Sequence, residues 1–301
     1  MGRRGKSWVI VTAVVSAALS MAATSASAAI RCGYDPATRV LSVYATEGAA
    51  YLGSEAELER VGDRIEISDG FSGHRVKCHG SPTVTNTDRI KLRSLGFLSS
   101  VEISLAGGPF APGATPEADG SSEIEFTLAG RGGATVTGGP EADHFSYVTE
   151  GGRSGINLDP GPEGNDTDID LVTADPRTLL IVDGGPGPDT IDVLDRPRVE
   201  VQARGGPGDD SLSAVGDASL GAILEGEEGA DQIVGSAGED IIRPGPGPDL
   251  VRAEGGADEI WNPPDRSRDS IECGGGDDLV FEREPRDRLR SCESVRPDPT
   301  R

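Results

Sequence analysis

The chain has 301 residues, with 28 Lys and Arg against 51 Asp and Glu, a formal net charge of −23 at neutral pH. A surface of that sign repels phosphate backbones and anionic lipid, which argues against nucleic acid or membrane insertion and favours cations as partners. Hydrophobic residues make up 35% and aromatics 4%, beside 43 glycines and 21 prolines, so a conventional large core is excluded. The choice is then between disorder and a thin repetitive fold held by something else.

Residues 1–28 read as a secretory signal peptide. Arg3, Arg4 and Lys6 form the positive start, 8–19 the apolar core, and Ala26-Ser27-Ala28 a small-residue cleavage site. The apolar run is short for a membrane span of about 20 residues, so the expectation is cleavage and a secreted, extracellular chain. Since 1–28 carry three basic residues and no acidic ones, the remainder would hold a net charge of −26. Four cysteines, Cys32, Cys78, Cys273 and Cys292, suit an oxidising compartment. Three pairings are formally possible; the local one, Cys32–Cys78 with Cys273–Cys292, is the simplest.

Residues 29–130 form an N-terminal β region. Short strands are expected at 40–44, 64–67, 89–92, 101–105 and 123–128, with clear period-2 alternation in 64–68 and 101–105. The region reads either as a small disulfide-tied β domain or as the first coils of one roll shared with the C-terminal repeats.

Residues 131–225 carry isolated copies of a glycine/aspartate unit. GGPGPDTID (184–192) and GGPGDDSLS (205–213) are complete, while GGPEADHFS (138–146) and GPEGNDTDI (161–169) are partial. The aspartates Asp143, Asp166, Asp189, Asp210 and Asp231 follow at steps of 23, 23, 21 and 21 residues. Strand-like stretches at 179–182 and 199–203 lie between them. This predicts irregular β coils with a metal-type turn on one edge only.

Residues 226–301 hold the regular array and its cap. Four uninterrupted nonads run GEEGADQIV (226–234), GSAGEDIIR (235–243), PGPGPDLVR (244–252) and AEGGADEIW (253–261). Position 4 is Gly229, Gly238, Gly247 and Gly256, position 6 is Asp231, Asp240, Asp249 and Asp258, and position 8 is Ile233, Ile242, Val251 and Ile260. After a slip of two residues, PDRSRDSIE (264–272) keeps only Asp269 and Ile271. CGGGDDLVF (273–281) restores the pattern with Gly276, Asp278 and Val280, and EREPRDRLR (282–290) keeps Asp287 and Leu289. Such decay suits a capping coil.

The unit has a physical logic. Glycine permits positive φ and close backbone approach, so positions 1–6 can turn sharply and aim carbonyls at an ion. Proline at positions 3 and 5 restricts the unfolded chain. The position-6 aspartate adds a hard oxygen of the kind calcium takes six to eight of. Position 8 faces inward from a short strand. Equivalent aspartates on successive coils would sit about 4.8 Å apart and repel by ~1 kcal/mol in water, or ~3–4 at an effective dielectric of 20. A divalent cation between turns would convert that repulsion into attraction, so the array is expected to fold poorly without one.

The motif GGxGxDxUx, fullest at 184–192, resembles the RTX or haemolysin-type calcium-binding repeat. The likeness covers 184–290 well and 138–183 weakly. It implies an all-β fold, a parallel β-roll or β-helix built from nonapeptide coils behind the small N-terminal β region. It also implies several Ca2+ ions as cofactor, held by aspartate carboxylates and turn carbonyls. Carried onto this sequence, the ligand set is Asp189, Asp210, Asp231, Asp240, Asp249, Asp258 and Asp278, in turns shaped by Gly185, Gly187, Gly206, Gly208, Gly229, Gly238, Gly247, Gly256 and Gly276. Asp143, Asp269 and Asp287 lack the position-4 glycine, the unit of Asp166 is only partial, and the turns of Asp189 and Asp210 stand alone in sequence, so complete sites are expected chiefly at 226–261. Segment 81–126, with VTNTDRI (84–90), and the end CGGGDDLV…DRLRSCE are similar to secreted actinobacterial proteins of this type, whose paired cysteines staple the last coil.

No GxSxG elbow or HExxH pattern is present, so the expectation is a non-enzymatic protein. Two alternatives stand beside it: an enzyme acting on extracellular polysaccharide on a β-helix, and an adhesion module making cell-surface or extracellular matrix contact. Clustered cations, acids and stacking aromatics in one groove would favour the enzyme.

Overall fold

The computed structural model describes residues 30–46, 54–94, 99–111, 113–115, 124–130, 132–150, 153–158, 170–173, 178–194, 200–215, 221–282 and 286–297. Residues 1–28, read above as a signal peptide, lie outside them. Among the described residues the protein is all-β, with no helix and hence none able to cross a membrane. The strands form two sheets, of thirteen and eleven strands.

From Leu179–Asp183 onward the chain visits the sheets alternately. Thr190–Val193, Ser211–Ser213, Gln232–Val234, Leu250–Arg252, Ser270–Glu272 and Arg288–Arg290 join the thirteen-stranded sheet. Glu200–Arg204, Ile223–Glu225, Ile241–Arg243, Glu259–Asn262, Leu279–Glu282 and Ser294–Arg296 join the other. Every pairing among these is parallel and in step with the repeat: Ile233 faces Val251, which faces Ile271, and on the opposite sheet Leu224, Ile242, Ile260 and Val280 align. These position-8 side chains are at most 2% exposed. A three-residue strand can place only its middle side chain inward, which explains why one aliphatic residue per nonad suffices for a narrow core.

The N-terminal region belongs to the same two sheets. Val40–Ala45, Arg89–Ser94 and Glu125–Gly130 stack in parallel on one side, and Glu55–Val61, Ser100–Ser104 and Gly133–Thr137 on the other. Antiparallel hairpins, Arg31–Asp35 with Val40–Ala45 and Glu55–Val61 with Arg64–Asp69, close this end. Cys32–Cys78 joins the first hairpin to the segment beyond the second, and Cys273–Cys292 ties the far end.

One departure concerns the middle. A coil was expected at each 23-residue step, yet His144–Glu150 pairs directly with Thr190–Val193, and Gly133–Thr137 with Leu179–Asp183. The intervening chain doubles back through Arg153–Asn157 and Leu171–Thr173 as antiparallel strands of the same sheet. Asp166 lies outside the described residues, and no circuit separates the turns of Asp143 and Asp189.

Because Ile260 is fully buried and aligned with Ile242 and Val280, Ile260→Ala should lower the unfolding free energy by about 2–5 kcal/mol. Gln232→Ala, at an exposed strand position next to buried Ile233, should change urea unfolding by less than about 0.5 kcal/mol.

Candidate cation site

The position-6 aspartates form two buried columns, one at each edge where the chain crosses between sheets. On the first, the backbone N–H of each aspartate donates to Oδ1 of the next: Asp143 to Asp189 at 2.7 Å, Asp189 to Asp210 at 2.8 Å, Asp210 to Asp231 at 2.9 Å. Asp231 to Asp249, Asp249 to Asp269 and Asp269 to Asp287 continue it at 3.0 Å each. The second column runs from the Ala222 N–H to Asp240 at 2.6 Å, then Asp240 to Asp258 at 2.9 Å and Asp258 to Asp278 at 3.0 Å, ending on Glu293 Oε2 at 3.2 Å. The turns of Asp189 and Asp210, isolated in sequence, are therefore not isolated in space.

Each carboxylate thus commits one oxygen to the stack. The other divides the set in two. Oδ2 of Asp189, Asp210, Asp231, Asp249, Asp258 and Asp278 is buried without a hydrogen-bond partner. In the remaining described turns an internal donor reaches it. The Gly139 N–H donates to Asp143 Oδ2 at 2.6 Å, and the Ser236 N–H to Asp240 Oδ2 at 2.6 Å with its hydroxyl on Oδ1 at 2.9 Å. The Asn262 amide donates to Oδ2 of Asp269 at 2.9 Å and of Asp287 at 3.3 Å. Asp240, counted among the regular ligands from its sequence, is the one regular turn that meets its own needs.

Burial pushes the orphaned carboxyls upward from the ordinary 3.8, and neighbouring carboxylates add to it against the backbone hydrogen bond: Asp210 and Asp231 to about 6, Asp189 and Asp258 to about 7, Asp249 to about 8. A buried carboxylate oxygen with no donor costs several kcal/mol unless it is neutralised or paired.

Main-chain oxygens supply the rest of the environment. A Cβ built on Gly205 would meet Asp210 Oδ2 at 2.3 Å and the Gly226 carbonyl at 2.7 Å; on Gly226 it would meet Asp231 Oδ2 at 2.4 Å and the Pro244 carbonyl at 2.3 Å. Position-1 glycine therefore leaves a cradle where a carboxylate and a carbonyl from the next circuit converge. Position 4 is equally constrained: a Cβ on Gly229 or Gly247 would lie 1.5 Å from the carbonyl oxygen stacked below, and both residues have positive φ, 155° and 144°. Among the described residues no group of three or more His, Cys, Asp or Glu side chains converges; the cradles at Gly184, Gly205 and Gly226 each offer one carboxylate with a main-chain carbonyl. That donor set fits a hard divalent ion, which accepts carboxylates and carbonyls together.

A feature missed in the sequence is position 2. Gly185, Gly206, Glu227, Gly245, Glu254 and Gly274 all take positive φ, between 70° and 105°. For the two glutamates this conformation costs about 1–2 kcal/mol. Glycine at this position in four of the six turns was the available signal.

Elsewhere, a cavity of about 420 Å³ opens on the outer face of the eleven-stranded sheet, lined by Glu225, Glu227, Arg243, Trp261, Asn262 and Phe281 among others. Trp261 and Phe281 stack with centroids 4.1 Å apart. Glu225 accepts from Gln202 at 2.8 Å and Arg204 at 3.0 Å, and from Arg243.

Comparison with known protein families, with curated proteins and with solved structures finds no match to this chain.

With divalent ions chelated, the raised carboxyl values make the folded chain bind more protons than the unfolded chain between the ordinary 3.8 and about 8. Stability contributed in this way is present in acid and is lost as pH rises through that window. The urea midpoint in chelator should therefore be higher at about pH 5 than at about pH 8.5. A midpoint that rises instead would contradict the orphaned carboxylates.

Proposed function

We propose that this is an exported calcium-binding protein in which the cation folds and stabilises a β-roll, and that it acts without catalysing a reaction. The observation that carries this reading is the set of six buried Oδ2 atoms without donors, three of which (Asp189, Asp210 and Asp231) share a glycine cradle with a main-chain carbonyl. Calcium suits the site better than magnesium, because it tolerates variable carbonyl-rich coordination, whereas magnesium demands a near-ideal octahedron and keeps its waters. The likeness of the repeat to the RTX motif points the same way. Export is supported by the signal-like segment 1–28 and by two disulfides, which persist in oxidising compartments.

Circular dichroism of the chain from residue 29 onward, titrated with calcium and separately with magnesium, tests this directly. The β signal should rise with calcium selectively, and equal responses to both ions would overturn the reading. Each occupied site should add about 2.7 kcal/mol at a hundredfold excess over Kd. Asp249→Ala should remove bound calcium in titration calorimetry, whereas Asp209→Ala, at an exposed position-5 carboxylate, should leave the count unchanged.

A second reading, contact with a neutral glycan, is favoured by the cavity beside Trp261. An aromatic wall for the apolar face of a pyranose stands there with Arg243 and Glu225, whose charged groups suit sugar hydroxyls. Trp261→Ala should weaken retention on insoluble neutral polysaccharide about tenfold without altering calcium binding.

A further inference from the structure

The two kinds of turn differ in one backbone angle. The six turns whose position-2 residue is left-handed (Gly185, Gly206, Glu227, Gly245, Glu254, Gly274) correspond one for one with the six aspartates whose Oδ2 lacks a donor. In the turns of Asp143 and Asp240, position 2 is Gly139 and Ser236. Neither has positive φ, and in both the position-2 N–H donates to the aspartate Oδ2 at 2.6 Å. Reversing φ at that residue swings its N–H away from the carboxylate, and in the Gly206 turn the same N–H donates instead to the Gly226 carbonyl at 3.3 Å.

We propose that the backbone conformation at position 2 selects which turns take a cation: left-handed turns leave a carboxylate oxygen for the ion, and the turns at Gly139 and Ser236 replace the ion with their own N–H. This deepens the calcium reading above and rests on it. The sequence shows why each turn chooses as it does. Ser236 resists positive φ, as residues other than glycine do, and its hydroxyl locks the alternative by donating to Asp240 Oδ1 at 2.9 Å and accepting the Gly238 N–H at 3.0 Å. Gly139 could turn left-handed, but its unit carries Glu141 at position 4, where all six left-handed turns carry glycine. Glu227 and Glu254 show the converse, since they are held left-handed against their own preference. An unfavourable conformation of that kind persists where the surroundings over-determine it.

The selector makes the 235–240 turn a latent site. Its Gly235, Gly238 and Asp240 are in place, and only Ser236 departs from the full motif. In the full-length chain, Ser236→Gly should bind one more calcium ion than the parent by titration calorimetry and native mass spectrometry. Ser236→Ala, which keeps the N–H bond, should bind the same number as the parent. Gly185→Ser tests the reverse direction, because at the present positive φ its Cβ would crowd the Gly139 and Gly138 carbonyls at 3.0 and 3.1 Å and disfavour the left-handed turn; it should bind one ion fewer while the β signal in saturating calcium is retained. If the parent binds calcium but Ser236→Gly and Gly185→Ser leave the count unchanged, or if Ser236→Ala also gains an ion, position 2 is not the selector. If the parent binds no calcium, the underlying reading fails, and this inference fails with it.

Discussion

Like charges stacked in a buried column are the constraint on which the rest of this structure depends. Parallel strands repeat at about 4.8 Å, and the aspartate at position 6 recurs on every circuit of the regular array. Its backbone must enter the strand at that point, so its side chain cannot swing out to water without breaking the hydrogen bond its Oδ1 accepts from the N–H of the preceding aspartate in the column. The same residue therefore supplies the stacking bond and the electrostatic problem. One oxygen is used by the stack; the fate of the other decides whether the turn is complete on its own.

The remaining sequence pattern follows from that geometry. Glycine at position 4 is dictated by a carbonyl from the adjacent circuit lying where a Cβ would stand, at 1.5 Å for Gly229, Gly247 and Gly276. Short strands follow because the turns occupy most of each nonad, leaving one inward side chain per crossing. A core so thin contributes ~2 kcal/mol per aliphatic residue against a backbone entropy of about 1–2 kcal/mol for every ordered residue. Such a fold needs its turns to contribute stability, and unpaired charges there would do the opposite.

Much of this was legible in the sequence because period and register are local. The three matching columns of 226–261 marked the strands, the inward position 8 and the stacking of Asp231 on Asp249 and of Asp240 on Asp258. The five N-terminal strands read from alternation are all present. The illegible part depends on long-range pairing or on backbone angles. Nothing local announces that Asp143 stacks on Asp189 across 46 residues, because the antiparallel excursion between them breaks the spacing. Nor does composition reveal that Asn262, outside the nonad register, reaches two carboxylates at once. Position 2 was visible as a glycine preference, but glutamate at 227 and 254 hid its conformational meaning.

The distribution of self-satisfied turns has its own logic. A circuit in the middle of the stack has a neighbour on each side, so an ion between turns can be shared and its cost of ordering spread. A circuit at the end of a column has one neighbour and half of that help. On the first edge, Asp143 begins the column and Asp269 and Asp287 end it, and these are the carboxylates met by the Gly139 N–H and the Asn262 amide. On the second edge the column begins at Asp240, whose preceding partner is Ala222, and Ser236 satisfies it. Asp189, Asp210, Asp231 and Asp249 lie between such ends, and all four have an orphaned oxygen. Fixed protein donors thus occupy three of the four column ends, and the interior turns keep their second oxygen for a ligand. On the proposed calcium reading, three of the four ends would hold their shape whatever the ion concentration, while Asp278 at the fourth and the interior turns, with their orphaned oxygens, would depend on it.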